Sequence, residues 1–327
     1  MTEDTKPTPP DAKPDKGHGT VAVIAALLAN LGIAAAKFVG FLITGASSML
    51  AEAFHSVADS GNQTMLLGGS RVARKEPDRK HPFGHGRVRY FAAFLVAVVL
   101  FTLGSLFSLY EGYDKLRHPH ELESPAVALA ILVVALVLEG VSLRTAVREA
   151  SPMRGHQSWW SFIRTTKQPE LAVVLLEDSA AELGLSFALL GVGLAAVTGD
   201  PLWDGLGTLA IGALLAVVAV VLGFEMYSLL LGEAASPEEQ ASIRDTLAAT
   251  PGIAQLVQLR TMHLGPEELL VAATVELDPD LSAADAARVI DQAQDEIRKA
   301  VPSARVIYLE PELPVASGSG PGLVDRP

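Results

Sequence analysis

An α-helical membrane protein, with six transmembrane helices followed by a small cytoplasmic α+β domain, is the fold class this sequence predicts, on three observations. Half of the 327 residues are hydrophobic, the mean hydropathy is +0.33 and only 19% of residues are charged, a balance outside the range of ordinary soluble domains. Six long apolar stretches precede Gly232, each close to the roughly 20 residues a helix needs to cross a bilayer core. After Gly232 the chain changes to capped helices alternating with short strands.

Taken in order, residues 1–18 are rich in Pro, Lys and Asp and are expected to form a disordered tail. A transport-domain stretch over 19–232 follows, with spans expected at 21–43, 48–73, 90–110, 124–143, 171–197 and 205–224. Lys37 in the first span is expected to snorkel, and Glu139 in the fourth to make a polar contact inside the bundle. Residues 233–313 are expected to fold as the soluble domain. Ser236 caps a helix with Pro237 at its first position. Strands at 253–263 and 269–277, a helix over 282–300 and a strand at 305–309 complete an αββαβ order, ferredoxin-like, with helices on one face of a small sheet. A second disordered tail is expected over 314–327.

Charge and composition narrow the function classes. The chain has no cysteine, so thiolate ligation and disulfides are excluded and any metal site must use histidine nitrogen and carboxylate oxygen. A net charge of -12 argues against nucleic acid as a partner. Basic residues crowd the connections after the second and fourth spans, from Arg71 to Arg89 and from Arg144 to Lys167, whereas the opposite loops offer Lys115 and Arg117. By the positive-inside rule both basic loops, and with them both termini, are expected in the cytoplasm. The plasma membrane is the expected location.

Chemistry concentrates in the second span. His55 and Asp59 lie four apart on one helix face, the spacing at which two side chains can share one metal ion. A charge at bilayer depth costs about 2.5 to 3.5 kcal/mol on insertion scales, so such residues mark functional paths. The fifth span adds Glu177, Asp178 and Glu182. If these two helices face each other near the midplane, their ionisable groups share a cavity. Glu52 and Asn62 are expected to orient His55 and Asp59 from outside the metal's own shell.

Three motifs carry a resemblance: GASSMLAEAFHSVAD at 45–59, HPFGHGR at 81–87 and LLEDSAA at 175–181. In this order, on six spans, they resemble the cation diffusion facilitators, and within that family the zinc transporter 9-like branch. The resemblance implies a homodimeric, six-span, proton-coupled exporter of divalent metal cations with a cytoplasmic α/β domain. It implies a transport site with two ligands from span two, matched by His55 and Asp59, and two from span five. Typical members carry a second HxxxD there, whereas this chain has only acids, so Asp178 is the expected ligand with Glu182 or Glu177 completing the set. Asp78, His81 and His85 match a possible second, loop metal site, with a packing hinge as the alternative reading. In the soluble domain the family's strand histidines are replaced by Ala273 and Tyr308, leaving Glu310 and His263, so that domain is expected to dimerise without a metal pair.

A four-coordinate His and carboxylate set suits zinc, while one histidine among oxygens also admits manganese, ferrous iron or cobalt. Ligation needs neutral imidazole and ionised carboxylates, so metal and protons compete, which gives protons the role of counter-ion. An intramembrane metal-dependent hydrolase could use similar residues, with an open coordination position and a separate base.

Overall fold

The computed structural model describes residues 18–312, with side chains described for 30–312 apart from residue 100. The expected tails fall outside that range, His18 excepted. The chain runs α1 (His18–Thr44), α2 (Ser47–Ala73), α3 (Val88–Arg117), α4 (Pro125–Arg154), a short α5 (Trp159–Thr165), α6 (Pro169–Thr198) and α7 (Leu202–Leu231). Of the six spans expected, α3, α4, α6 and α7 are long and apolar enough to cross a membrane. The described apolar part of α1 is the shorter Asn30–Thr44. In α2, Glu52, His55, Asp59, Asn62 and Gln63 dilute the apolar character.

Two features were absent from the sequence expectations. α4 continues to Arg154 because backbone hydrogen bonding does not stop where the apolar run ends at Arg144. Inside α3, Val96–Phe101 forms a π-helical turn, a feature common near functional sites.

The helical domain packs small residues inward and large apolar ones outward. Ala93, Ala97, Ala128, Ala135, Ala180 and Ala188 are buried, whereas Leu42, Val134, Val137, Leu190 and Phe224 are exposed on its flanks. That is the distribution lipid favours, since close backbone approach, not apolar burial, holds helices together there. At the α3–α7 crossing a Cβ on Gly212 would lie 2.8 Å from the Leu109 backbone nitrogen, and one on Gly112 would lie 2.8 Å from that of Leu209. Ser105 Oγ donates to the Gly212 carbonyl at 2.8 Å, a bond this approach permits.

Beyond Gly232 come α8 (Pro237–Ala249), β1 (Ile253–Gly265), β2 (Glu268–Leu277), α9 (Ala283–Ala300) and β3 (Ala304–Glu312). Ser236 and Glu239 form a reciprocal capping box at the start of α8. The sheet order is β1-β2-β3, with β1 antiparallel and β3 parallel to β2. Leu269, Val271, Ala273 and Val275 alternate inward along β2 and meet Ile243, Leu247, Ala293 and Ile297 from the two helices. This is a second core, separate from the helical one.

Gly212→Leu is expected to cost about 1 to 3 kcal/mol, because the added side chain meets the Leu109 backbone as well as its side chain. Gly68→Ala, where nothing lies within 4 Å of an added Cβ, is expected to be neutral or stabilising. Thermal melts of the two variants in detergent check the pair.

Candidate metal centre

No proline or glycine interrupts Ser47–Ser60, so α2 stays helical through its polar stretch and projects His55 and Asp59 from one face. His55 Nδ1 stands 3.6 Å from Asp59 Oδ1, and both residues are buried. Ala58, Asn62, Phe101, Gly104 and Leu215 complete the wall of the small cavity around them. The π-helical turn ends at Phe101, whose ring centroid lies 6.4 Å from that of His55.

The three acids of α6 take different directions, as successive helical positions must. Glu177 is buried and stands beside Asp59 and Asn62. Asp178 turns to α4, where Ser142 Oγ donates to its Oδ2 at 3.1 Å. Glu182 lies against Gly140, at which a Cβ would be 3.5 Å from Glu182 Oε1. Glu139, next to Gly140 on α4, is close enough to act electrostatically on Asp59, Glu177, Asp178 and Glu182. Glu177 is therefore the α6 acid brought nearest to the α2 pair.

The polar atoms of this cluster are incompletely satisfied by the protein itself. His55 Nε2, Asp59 Oδ1, Asn62 Oδ1 and Glu182 Oε2 are buried and have no hydrogen-bond partner among the described residues. Lone pairs gathered at depth without donors are the chemistry of a cation site. Lys37 does not snorkel: it is fully buried and donates to Glu52 Oε2 at 3.0 Å and Ser56 Oγ at 2.9 Å. Glu52 thus makes its ion pair with α1, while Asn62 stays beside Glu177.

A second cluster lies in the loop between α2 and α3. His81 Nδ1 is 3.3 Å and His85 Nε2 3.7 Å from the Asp78 carboxylate, and the two rings stand 4.5 Å apart. Among the described residues this is the one trio whose ligand atoms all lie within 4.8 Å of one another. Backbone N–H groups of His81 and Lys80 donate to Asp78 and hold its carboxyl below the ordinary range. The same loop packs on the soluble domain, since a Cβ on Gly86 would lie 2.8 Å from the Leu264 carbonyl oxygen.

In the soluble domain, Ala273 faces the core and pairs with Leu309, while Tyr308 is exposed and pairs with Ala272. The two positions lie on opposite faces of the sheet. Glu310 is exposed on β3. His263 is buried with neither ring nitrogen hydrogen-bonded, its Nε2 lying 3.9 Å from Glu239 Oε2. Burial lowers its pKa, partly offset by the Glu239 carboxylate.

Residues 23–231 match the model of the cation efflux transmembrane domain, and residues 235–312 match that of the cation efflux protein cytoplasmic domain. The mitochondrial proton-coupled zinc antiporter SLC30A9 of Mus musculus is 34% identical over 265 residues, covering 80% of this chain and 47% of that protein. Metal tolerance protein C4 of Arabidopsis thaliana is 26% identical over 263 residues, covering 80% and 58%. The cation-efflux pump FieF of Escherichia coli is 28% identical over 287 residues, covering 88% and 90%. The chain spans about half the length of the SLC30A9 relatives it matches. Those relatives are named as mitochondrial, which overturns the expectation of a plasma-membrane location and leaves that of a membrane protein.

Because burial lowers the His263 pKa in the folded state, the unfolded chain takes up the proton more readily, so the contribution of the neutral imidazole to stability is present above about pH 6.5 and is lost progressively as pH falls below it. His263→Leu is expected to flatten the fall in melting temperature between about pH 7 and pH 5. Melts of parent and variant across that range check it.

Proposed function

Since the chain belongs to the cation efflux family, we propose that it is a proton-coupled antiporter of divalent metal cations, zinc foremost. The observation that carries this reading is the buried pair of His55 and Asp59 on α2 with the Glu177 carboxylate beside it from α6. His55 Nε2 and the Asp59 and Glu177 carboxylates are the ligands, while Asp178, turned to Ser142, and Glu182, against Gly140, form the acidic wall facing α4. The transport domain covers 19–232 with six spans, α1, α2, α3, α4, α6 and α7. The ferredoxin-like αββαβ domain at 233–313 joins two copies as a homodimer.

The substrate cation enters from the face that bears the soluble domain, and His55 with Asp59 and Glu177 replaces part of its water shell. Each ligating carboxyl gives up any proton it holds, and imidazole binds only when neutral. Protons arriving from the opposite face then compete the metal off, so uptake of protons is tied to release of metal. Movement of α2 and α6 about the site supplies alternating access. Asp78, His81 and His85 form a second, accessible metal site in the loop, poised against the soluble domain.

Zinc is supported by the names of the SLC30A9 relatives and by the donor set. A single histidine among carboxylates favours manganese and ferrous iron more than a two-histidine site would, and cobalt shares much of zinc's coordination preference. Membership of a cation efflux family favours transport over the intramembrane hydrolase that the residues alone also allow.

Purified protein in sealed vesicles, with an imposed pH gradient and zinc, manganese, iron and cobalt offered in turn, tests the reading. Gradient-dependent zinc uptake is expected, and Asp59→Ala is expected to reduce it by at least about 100-fold while the protein elutes and melts as a folded species. Normal uptake by that variant contradicts the assignment.

A further inference from the structure

Away from the soluble domain, the far ends of three helices meet in a buried polar cluster that the metal centre does not use. α2 begins there without a cap of its own, because its N-cap residue is Ala46 and supplies no side-chain bond. The cap comes from α7. Asp204 Oδ2 accepts from the Ser47 backbone N–H at 2.8 Å, and Oδ1 accepts from the Ser48 N–H at 3.3 Å and from Ser48 Oγ at 2.5 Å. A carboxylate at that position satisfies two of the helix's orphan donors and meets the positive end of its dipole.

Lys115, at the end of α3, closes the cluster. Its ammonium lies 3.8 Å from Asp204 Oδ2 and donates to the Gly45 carbonyl at 3.1 Å. Asp204 and Lys115 are both essentially unexposed. Ser47 Oγ donates to Glu111, also on α3, at 3.0 Å. Gly45 turns the chain between α1 and α2 with a φ of 63°, which is why its carbonyl can point at Lys115 and His120. One carboxylate therefore fastens α2 to α7 and α3 at the distal face. His55 sits eight residues further along α2, roughly 12 Å from the latch at 1.5 Å per residue.

We propose that Asp204, with Lys115, is a positioning latch: it holds the distal end of the helix that carries His55 and Asp59 and keeps the passage from the metal centre to that face closed until it breaks. The latch suits that task because a buried pair is costly to split. Its location also separates it from the loop and soluble domain, so it acts on the distal side alone. The proposal rests on the transport reading for its meaning, yet its test needs no metal flux, so failure of either is distinguishable from failure of the other.

The chain has no cysteine, so Ala58→Cys places a single thiol in the cavity wall beside His55 and Asp59. The full chain is reconstituted in liposomes, sorted by protease protection of the soluble domain, and labelled with a membrane-impermeant maleimide from one face at a time. Adding Asp204→Ala or Lys115→Met is expected to raise the distal labelling rate about tenfold or more without raising it from the other face. Asp204→Asn, which keeps one acceptor oxygen for one of the two amide hydrogens and carries no charge, is expected to fall between. A distal rate within about twofold of the parent overturns the proposal, as does an equal rise at both faces, which reports general loosening. If Asp204→Ala does not fold, Ser48→Ala removes only the hydroxyl bond and carries the same test, with about a threefold distal increase expected and no increase contradicting it.

Discussion

Charge in a low-dielectric interior has to be balanced, and this constraint shapes the helical domain. Two buried carboxylates are balanced by resident lysines: Glu52 by Lys37 and Asp204 by Lys115. Asp59 and Glu177 are also buried, but among the described residues neither has a lysine or arginine within ion-pair distance, and the basic group nearest to Asp59 is His55. A desolvated, uncompensated pair of acids is unstable unless a cation or protons join them. The same deficit that makes this cluster expensive makes it able to take up and give back a positive charge. In the proposed transport cycle the lysine-balanced acids are the fixed joints and the unbalanced ones the working site.

Packing gives the fixed joints something to hold. Small residues line the interior, so helices approach until backbone meets backbone, as Gly112 and Gly212 do across α3 and α7. Rigid pairs of helices joined at a few polar points can shift as bodies, which alternating access requires. The Lys37 pair joins α1 to α2 near the centre, and the Asp204 pair joins α2 to α3 and α7 at the far end. On the other face, Arg89 of α3 grips Glu170 at the start of α6 with two bonds of 2.5 and 2.9 Å. It also lies 3.9 Å from Glu267 of the soluble domain. The soluble domain thus touches the helices where the loop cluster of Asp78, His81 and His85 also sits.

Much of this was legible in the residues. Ionisable groups are so rare in apolar runs that His55 and Asp59 announce themselves, and the capping box at Ser236 marks the soluble domain's first helix to the residue. What could not be read were relations set by tertiary geometry. Which of Glu177, Asp178 and Glu182 meets α2 depends on the rotation of α6, and consecutive positions diverge by about 100°. Lys37 looked like a snorkelling lysine because its partners lie 15 and 19 residues away on α2, beyond the turn that joins it to α1. Asp204 stands at a helix start, where an acid is unremarkable, and its partner is 157 residues away. The π-helical turn at Val96–Phe101 left no mark in hydropathy, and cellular location is not written in span composition at all.

The central claim is that one histidine and several carboxylates from α2 and α6 hold a single metal ion. Zinc X-ray absorption on purified protein carrying His81→Ala and His85→Ala, so that the loop contributes no imidazole, tests it most directly. The account predicts one imidazole nitrogen per zinc, with oxygen ligands completing a shell at about 2.0 Å, and loss of the imidazole signature when His55→Ala is added. Two or more imidazoles per zinc, or a spectrum that His55→Ala leaves unchanged, contradicts it.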